Sequence, residues 1–375
     1  MKSICVVGAG RIGETIADML CASGDYAVVL IDHDREQLER VATGPRLEVR
    51  QADVESPAAI DRALAGADAV VSALPWQLTL PLAEAAARAA IPYFDLTEDV
   101  ATTRAVGELA AEGHSAFMPQ CGLAPGFVSV VAHALAMRFD EPERVLMRVG
   151  ALPRYPTNRL GYHFTWSPEG VINEYCEPCP AIVAGERREL APLEDLVTLR
   201  IDGVTYEAFN TSGGVGSLTD TLHGRVRELR YQSLRYPGHA DAMRLLLDDL
   251  RLRERRDHLL ELLRDAIPAT RDDVVVIHVT VSGRRDGVLE QETFATRVYG
   301  RDVAGQPRTA IQVVTAGGVC AMIDLMFAGV LPSRGLLRQE QVPLEVFLDN
   351  RFGRVFAKAK VAPADADAPA ARGAA

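Results

Sequence analysis

The sequence predicts an α/β fold: a Rossmann-type doubly wound parallel sheet with an inserted α+β domain that carries a mostly antiparallel sheet. Three observations predict it. Apolar, β-rich runs alternate with helical patterns over residues 1–120. The first of these runs leads through Gly8-x-Gly10-x-x-Gly13 into a helix. From about residue 143 the strand-like runs come at closer spacing, as antiparallel strands do.

The elements follow in order. "SICVV" (3–7) reads as a fully buried strand and "ETIADMLCASG" (14–24) as a helix closed by Gly24. "AVVLID" (27–32) is a second strand, "REQLERVA" (35–42) a helix and "LEVRQADV" (47–54) a third strand. In "SPAAIDRALAG" (56–66) Ser56 is the expected N-cap and Pro57 the first helical residue. "ADAVVSALP" (67–75) and "PYFDLT" (92–97) are strands four and five, separated by the helical "LTLPLAEAAARAA" (78–90). In the second half, strands are expected in "RVLMRVGAL" (144–152), "TLRIDGVTYEAFNT" (198–211), "DVVVIHVTVSG" (273–283), "ETFATRVYG" (292–300) and "TAIQVVTA" (309–316). A charged helical block spans 239–266, and "GGVCAMIDLMFAGVLPSRG" (317–335) gives a helix ending near Gly329. The expected organisation is a dinucleotide-binding domain of residues 1–120 plus 318–358 and a substrate-binding and dimerisation domain of residues 121–317. The Ala/Pro-rich end, 359–375, is expected to be a disordered tail.

Composition narrows the function. The 375 residues carry a net charge of −11 with no dense basic stretch, so nucleic acid is not an expected partner. No run of 18 uncharged apolar residues occurs and the N-terminus has no signal-peptide layout, so neither a membrane partner nor export is expected. Six scattered cysteines fit a reducing cytoplasm. Lys2, Lys358 and Lys360 are the only lysines, which argues against a lysine base or Schiff base in a central cleft.

Gly8, Gly10 and Gly13 form a dinucleotide fingerprint, with Arg11 and Ile12 opening the helix whose N-terminus would take the diphosphate. Asp32 ends the second strand, where a carboxylate bonds the ribose 2′-OH and repels a 2′-phosphate; NAD is therefore the expected cofactor, although Arg35 lies nearby. Asp53 and Val54 end the third strand and border the adenine, or Asp53 is a surface turn residue. Ser72, Ala73, Leu74 and Pro75 end the fourth strand on the ligand-binding edge. Asp95 ends the fifth, either capping a helix or reaching the reacting group. In "LGYHFTWSPEG" (160–170), read as a strand, Tyr162, Phe164 and Trp166 share one side and His163 and Thr165 the other. His163 is then either a satisfied core histidine or a proton-handling group. Cys176-x-x-Cys179 lacks a second pair at zinc spacing, and no metal is expected.

The segments "GAGRIG", "CGLAPGF", "GYHFTWSPEGV", "FNTSGG", "SLRYPGH" and "TAGGVCAMIDLMFAGVLPSRGLLRQEQV" together resemble the saccharopine dehydrogenase family over nearly all of residues 1–355. Within it, "EAFNTSGG…YQSLRYPGHADAM" looks most like the lysine 6-dehydrogenase type. That resemblance implies NAD-dependent oxidative deamination of the terminal amine of L-lysine, giving 2-aminoadipate 6-semialdehyde, which cyclises, and ammonia. It implies that Arg235 holds the substrate carboxylate, that Tyr231, Ser233 and Trp166 flank the chain and that Leu123 and Thr165 border it. His163 is the first candidate base and Asp95 the second. Where saccharopine-forming relatives carry an acid in the "GxDPG" bend and an arginine near "PNRD", this chain has Ala124 and Ser212-Gly213, which points to a smaller substrate. The alternatives are reductive coupling of an amine with a semialdehyde, of the saccharopine or carboxynorspermidine type, and a dinucleotide-binding sensor without turnover. The open sheet of the second domain implies a homo-oligomer, a dimer or a dimer of dimers.

Overall fold

The computed structural model describes residues 1–357. The expected disordered tail therefore lies outside the described residues, as does Lys358 at the end of the expected first domain. Strands β1 (Lys2–Val7), β2 (Tyr26–Asp32), β3 (Leu47–Gln51), β4 (Ala69–Ser72), β5 (Tyr93–Asp95) and β6 (Ala116–Met118) build the first sheet. The second sheet is built from β7 (Glu141–Pro153), β8 (Cys179–Val183), β9 (Glu186–Leu190), β10 (Val197–Ile201), β11 (Val204–Asn210), β12 (Glu228–Arg235), β13 (Asp273–Arg285) and β14 (Val288–Tyr299). A small hairpin, β15 (Arg301–Val303) and β16 (Gln306–Arg308), follows, and β17 (Gly335–Leu336) returns to the first sheet.

The first sheet runs β17-β6-β5-β4-β1-β2-β3, every pair parallel. Its strand order reverses at β1/β4, so the crevice for a ligand opens at the carboxyl ends of those strands. Strands such as "SICVV" are apolar on both faces because helices cover both faces. The second sheet runs β10-β11-β12-β7-β13-β14, with β8 and β9 added beside β12. Only the β12/β7 pair is parallel, so the sheet is mostly antiparallel.

Two expectations are corrected. "TAIQVVTA" is not a strand: a single helix spans Ala310–Phe327. Its start is fixed by a capping box, with the Thr309 hydroxyl accepting from the Gln312 N–H and the Gln312 side chain accepting from the Thr309 N–H. The buried Asp273 carboxylate accepts from the N–H groups of Ala310 (2.6 Å) and Ile311 (3.0 Å), a charge at the positive end of the helix dipole. Short apolar runs do not distinguish a strand from a buried helix, and this helix is apolar all round because it is buried all round. It is long and apolar enough to cross a membrane, with mean hydropathy 1.7, yet 83% of it is buried within the protein. The expected boundary at residue 318 falls inside it. Near its start Gln312 Nε2 donates to the Arg11 carbonyl, and towards its end Asp324 accepts from the Tyr26 hydroxyl at 2.7 Å, so this one helix ties the second sheet to the first domain.

The second correction concerns "LGYHFTWSPEG". Residues 160–166 form an irregular segment with one isolated bridge, Phe164 to Ala269. The two-sided placement of its side chains does not exist, and Phe164, Thr165 and Trp166 all face one cavity.

Candidate active site

The turn after β1 has the geometry of an anion cradle. Gly8 has φ +105°, and a Cβ on Gly13 would lie 1.8 Å from the Gly8 carbonyl oxygen. At Gly10 a Cβ would meet nothing nearer than Gln37 Nε2 at 3.9 Å, so the backbone faces open space. Gly10 caps the helix Arg11–Ser23 without a side chain, leaving the first N–H groups free for a diphosphate. The Asp32 carboxylate is buried beside this turn and accepts from the Ala9 N–H (2.7 Å) and the Asp34 N–H (2.9 Å). Arg35, the residue that left the cofactor open, turns away to Glu39 (2.8 Å). These residues fit a dinucleotide. Val54 is buried and Asp53 accepts from the Glu55 N–H in a turn.

A cavity of about 900 Å³ opens beside this cradle, between the two sheets. Gly10, Arg11, Ile12, Ala73, Leu74 and Pro75 line it from the first domain. Leu123, Thr165, Trp166, Tyr231, Ser233 and Arg235 line it from the other side. Gly8, Gly13, Asp32, Asp53, Val54 and Ser72 lie behind or beside the wall rather than in it.

The two expected bases are not at the wall. Asp95 is fully buried, and its oxygens accept from the Tyr93 hydroxyl (3.0 Å) and from the N–H groups of Thr97 (3.1 Å) and Gln120 (2.8 Å). Burial pushes its pKa up to about 6 against the pull of these donors. It pins the end of β5 to the bend that carries Leu123. His163 turns its Nε2 to the hydroxyl of Thr157 (2.9 Å), away from the cavity. A helix or strand period cannot reveal which way a loop side chain turns.

Three charged groups at the wall were not all foreseen. Arg235, on the last residue of β12, is 2% exposed. Its Nε donates to the Tyr175 hydroxyl (2.8 Å) and its Nη1 to the Leu234 carbonyl (2.9 Å). The Tyr175 hydroxyl pairs with His239 Nε2 (3.0 Å), and His239 Nδ1 with the Leu160 carbonyl (2.8 Å). Burial and the nearby guanidinium push the His239 pKa down to about 3, so the ring is neutral. Nδ1 then carries the proton toward Leu160, Nε2 accepts from Tyr175, and Tyr175 accepts from Arg235. The bend Tyr236-Pro237-Gly238 places His239 for this chain, and Glu207 fixes the bend by accepting from the N–H groups of Gly238 (2.8 Å) and Ala240.

Glu174 and Glu98 are the other two. Glu174 ends the helix Pro168–Glu174; its Oε2 stands 3.8 Å from Arg235 Nη2 and has no hydrogen-bond partner. Burial raises its pKa to about 8, the Arg235 charge opposes and the Glu98 charge adds. Glu98 follows β5 on the cofactor edge, and burial raises its pKa too. No cation lies within ion-pair distance of Glu98 among the described residues. Neither acid had a sequence signal: "NEY" sits beside the conspicuous Cys176-x-x-Cys179, whose cysteines are both free thiols. Two glycines set the aromatic walls. A Cβ on Gly214 would lie 2.2 Å from Tyr231 Cζ, and one on Gly170 2.3 Å from Trp166 Cζ3.

Residues 122–350 match the family model described as the saccharopine dehydrogenase C-terminal domain. The chain belongs to the saccharopine dehydrogenase family. Residues 4–117 of this family member match the model described as the saccharopine dehydrogenase NADP binding domain. A curated relative, saccharopine dehydrogenase [NADP(+), L-glutamate-forming] of Saccharomyces cerevisiae, is 27% identical over 184 residues, or 46% of this chain and 40% of the relative. The match thus spans less than half the length of that relative. The solved apo saccharopine dehydrogenase (L-Glu forming) from Saccharomyces cerevisiae shares the fold, with a TM-score of 0.73 over 95% of this chain and 96% of that one at 16% identity.

Proposed function

We propose that this member of the saccharopine dehydrogenase family is an NAD-dependent oxidoreductase that deaminates the terminal amine of L-lysine to 2-aminoadipate 6-semialdehyde, which cyclises, with release of ammonia. The observation that carries this reading is one cavity walled by the dinucleotide cradle and half-buried Glu98 on one side and by buried Arg235 and Glu174 on the other. Family membership supports the amino-acid oxidoreductase class; the charge of the wall supports the substrate. Glu169 and Arg264 pair with each other at the rim, and Arg11 sits at the phosphate cradle. The remaining groups at the wall are then two acids, Glu98 and Glu174, and one guanidinium; a bound ammonium beside Glu174 favours its ionised form. L-Lysine brings two ammonium groups and one carboxylate, the complementary set. Saccharopine brings further carboxylates, which this wall does not match, in keeping with Ala124 and Ser212-Gly213 in the departing positions.

The bound nicotinamide supplies a hydride acceptor. The protein's own residues do the rest. Arg235, held by Tyr175 and His239, fixes the substrate carboxylate. Tyr231, Trp166 and Leu123 exclude water along the aliphatic chain. Glu98, at the cavity wall on the cofactor edge, takes the proton of the terminal ammonium so that the neutral amine can lose hydride from its carbon. The resulting imine adds water and releases ammonia. Asp32 supports NAD over NADP, since its carboxylate opposes a 2′-phosphate and Arg35 is engaged by Glu39.

The test is purified protein with NAD and a panel of amino acids and amines, read by the absorbance of the reduced cofactor. Turnover of L-lysine with ammonia release is expected. Turnover only in the reverse sense, with reduced cofactor, a semialdehyde and a second amine, would replace this reading with reductive coupling.

A further inference from the structure

Six acidic residues are buried among the described residues: Asp32, Asp95, Glu174, Glu207, Asp273 and Glu340. Five of them have their carboxylates filled. Asp32 accepts from two backbone N–H groups, as do Glu207 and Asp273; Asp95 accepts from three donors; Glu340 accepts from the hydroxyls of Ser217 and Thr221. Glu174 is the exception: 8% exposed, lining the cavity, with Oε2 unpartnered. A buried acid whose Oε2 has no hydrogen-bond partner is costly to keep, so a role in ligand binding explains it better than stability does.

Its neighbour is incomplete as well. Arg235 uses Nε and Nη1 on protein oxygens, while Nη2 makes no hydrogen bond and stands 3.8 Å from Glu174 Oε2. That separation is an ion pair but too long for a hydrogen bond. An acceptor and a donor group, side by side at the cavity wall, each have unused capacity. An α-amino acid carries a carboxylate and an ammonium on one carbon and fills both at once. A fatty acid fills only the arginine, and an alkylamine only the glutamate.

We propose that the Arg235–Glu174 pair is a receptor for the free α-amino acid head group, Arg235 taking the α-carboxylate and Glu174 the α-ammonium. This rests on the reading of the cavity as a substrate site. It adds that a free α-amine is required and that Glu174 binds rather than abstracts, leaving Glu98 for the distal amine.

L-Norleucine and hexanoate separate head-group binding from turnover, because neither carries a distal amine. Each is titrated calorimetrically into the protein loaded with reduced dinucleotide. Norleucine is expected to bind about thirtyfold more tightly than hexanoate, the worth of one charge-assisted hydrogen bond. In Glu174→Gln, checked for unchanged dinucleotide binding, the preference is expected to fall to about threefold or less. Hexanoate binding as tightly as norleucine to the parent, neither binding, or a Glu174→Gln protein that keeps the preference would each overturn the proposal. Lysine turnover is measured separately: its absence alongside an intact norleucine preference removes the proposed reaction and leaves the head-group receptor standing.

Discussion

Replacing Tyr175 by Phe removes one oxygen from the centre of the chain that orients Arg235. The ring packing on Phe209 (5.8 Å between centroids) and His239 (5.7 Å) is kept. Two buried groups lose their partner: the Arg235 Nε–H at 2.8 Å and His239 Nε2 at 3.0 Å. The histidine cannot escape by changing tautomer, because Nδ1 must donate to the Leu160 carbonyl. Nor can it take up a proton near neutrality, with its pKa pushed down to about 3. The space of one oxygen is too small for a bridging water. Each unsatisfied buried group costs about 1–3 kcal/mol, so a loss of about 3 kcal/mol is expected. For a domain of this size that is a fall in Tm of roughly 6–12 °C. The guanidinium also loses its fixed direction, so the KM for the amino acid rises about tenfold or more while the affinity for reduced dinucleotide is unchanged. Thermal melts, dinucleotide titration and steady-state kinetics check all three. A Tyr175→Phe protein melting within about 1 °C of the parent, with the same KM, would refute the orienting role of this chain.

Other outcomes follow from the same geometry. Gly214→Ala places a methyl 2.2 Å from Tyr231 Cζ, so the ring must move; substrate KM rises about tenfold with dinucleotide affinity intact. Asp273→Ala strips two donors' acceptor from the start of the helix Ala310–Phe327 and is expected to cost about 2 kcal/mol, read as a shift in the denaturant midpoint. Asp32→Ser removes the charge that opposes a 2′-phosphate and raises the NADP-to-NAD ratio of kcat/KM about tenfold or more. Glu174 has its pKa raised to about 8, so the native state binds a proton that the unfolded chain releases near its ordinary value of 4.5; its stabilising contribution is complete below that value and is lost as pH rises through 8. Glu174→Gln should therefore gain stability relative to the parent between pH 5 and pH 8, measured by parallel melts.

The β-α alternation of residues 1–120, the Gly8-x-Gly10-x-x-Gly13 turn and Asp32 at the end of β2 were legible in the sequence because each is local. A strand's period, a turn's need for positive φ and a helix start are decided within a few neighbouring residues. The same holds for the strand character of "TLRIDGVTYEAFNT", which the structure resolves into the antiparallel pair β10 and β11. Arg235 as a substrate contact, and Tyr231, Ser233 and Trp166 beside it, came from resemblance rather than from any local period. Tertiary structure alone decided the remainder. It turned "TAIQVVTA" into helix, since Asp273 arrives from a distant strand to hold that start. It removed His163 and Asp95 from the cavity by giving their polar atoms other partners. It brought Glu174 and Tyr175 together with Arg235 and His239, two segments about 60 residues apart in the chain. A side chain's protonation and direction depend on burial and on partners far along the chain, and a linear pattern carries neither.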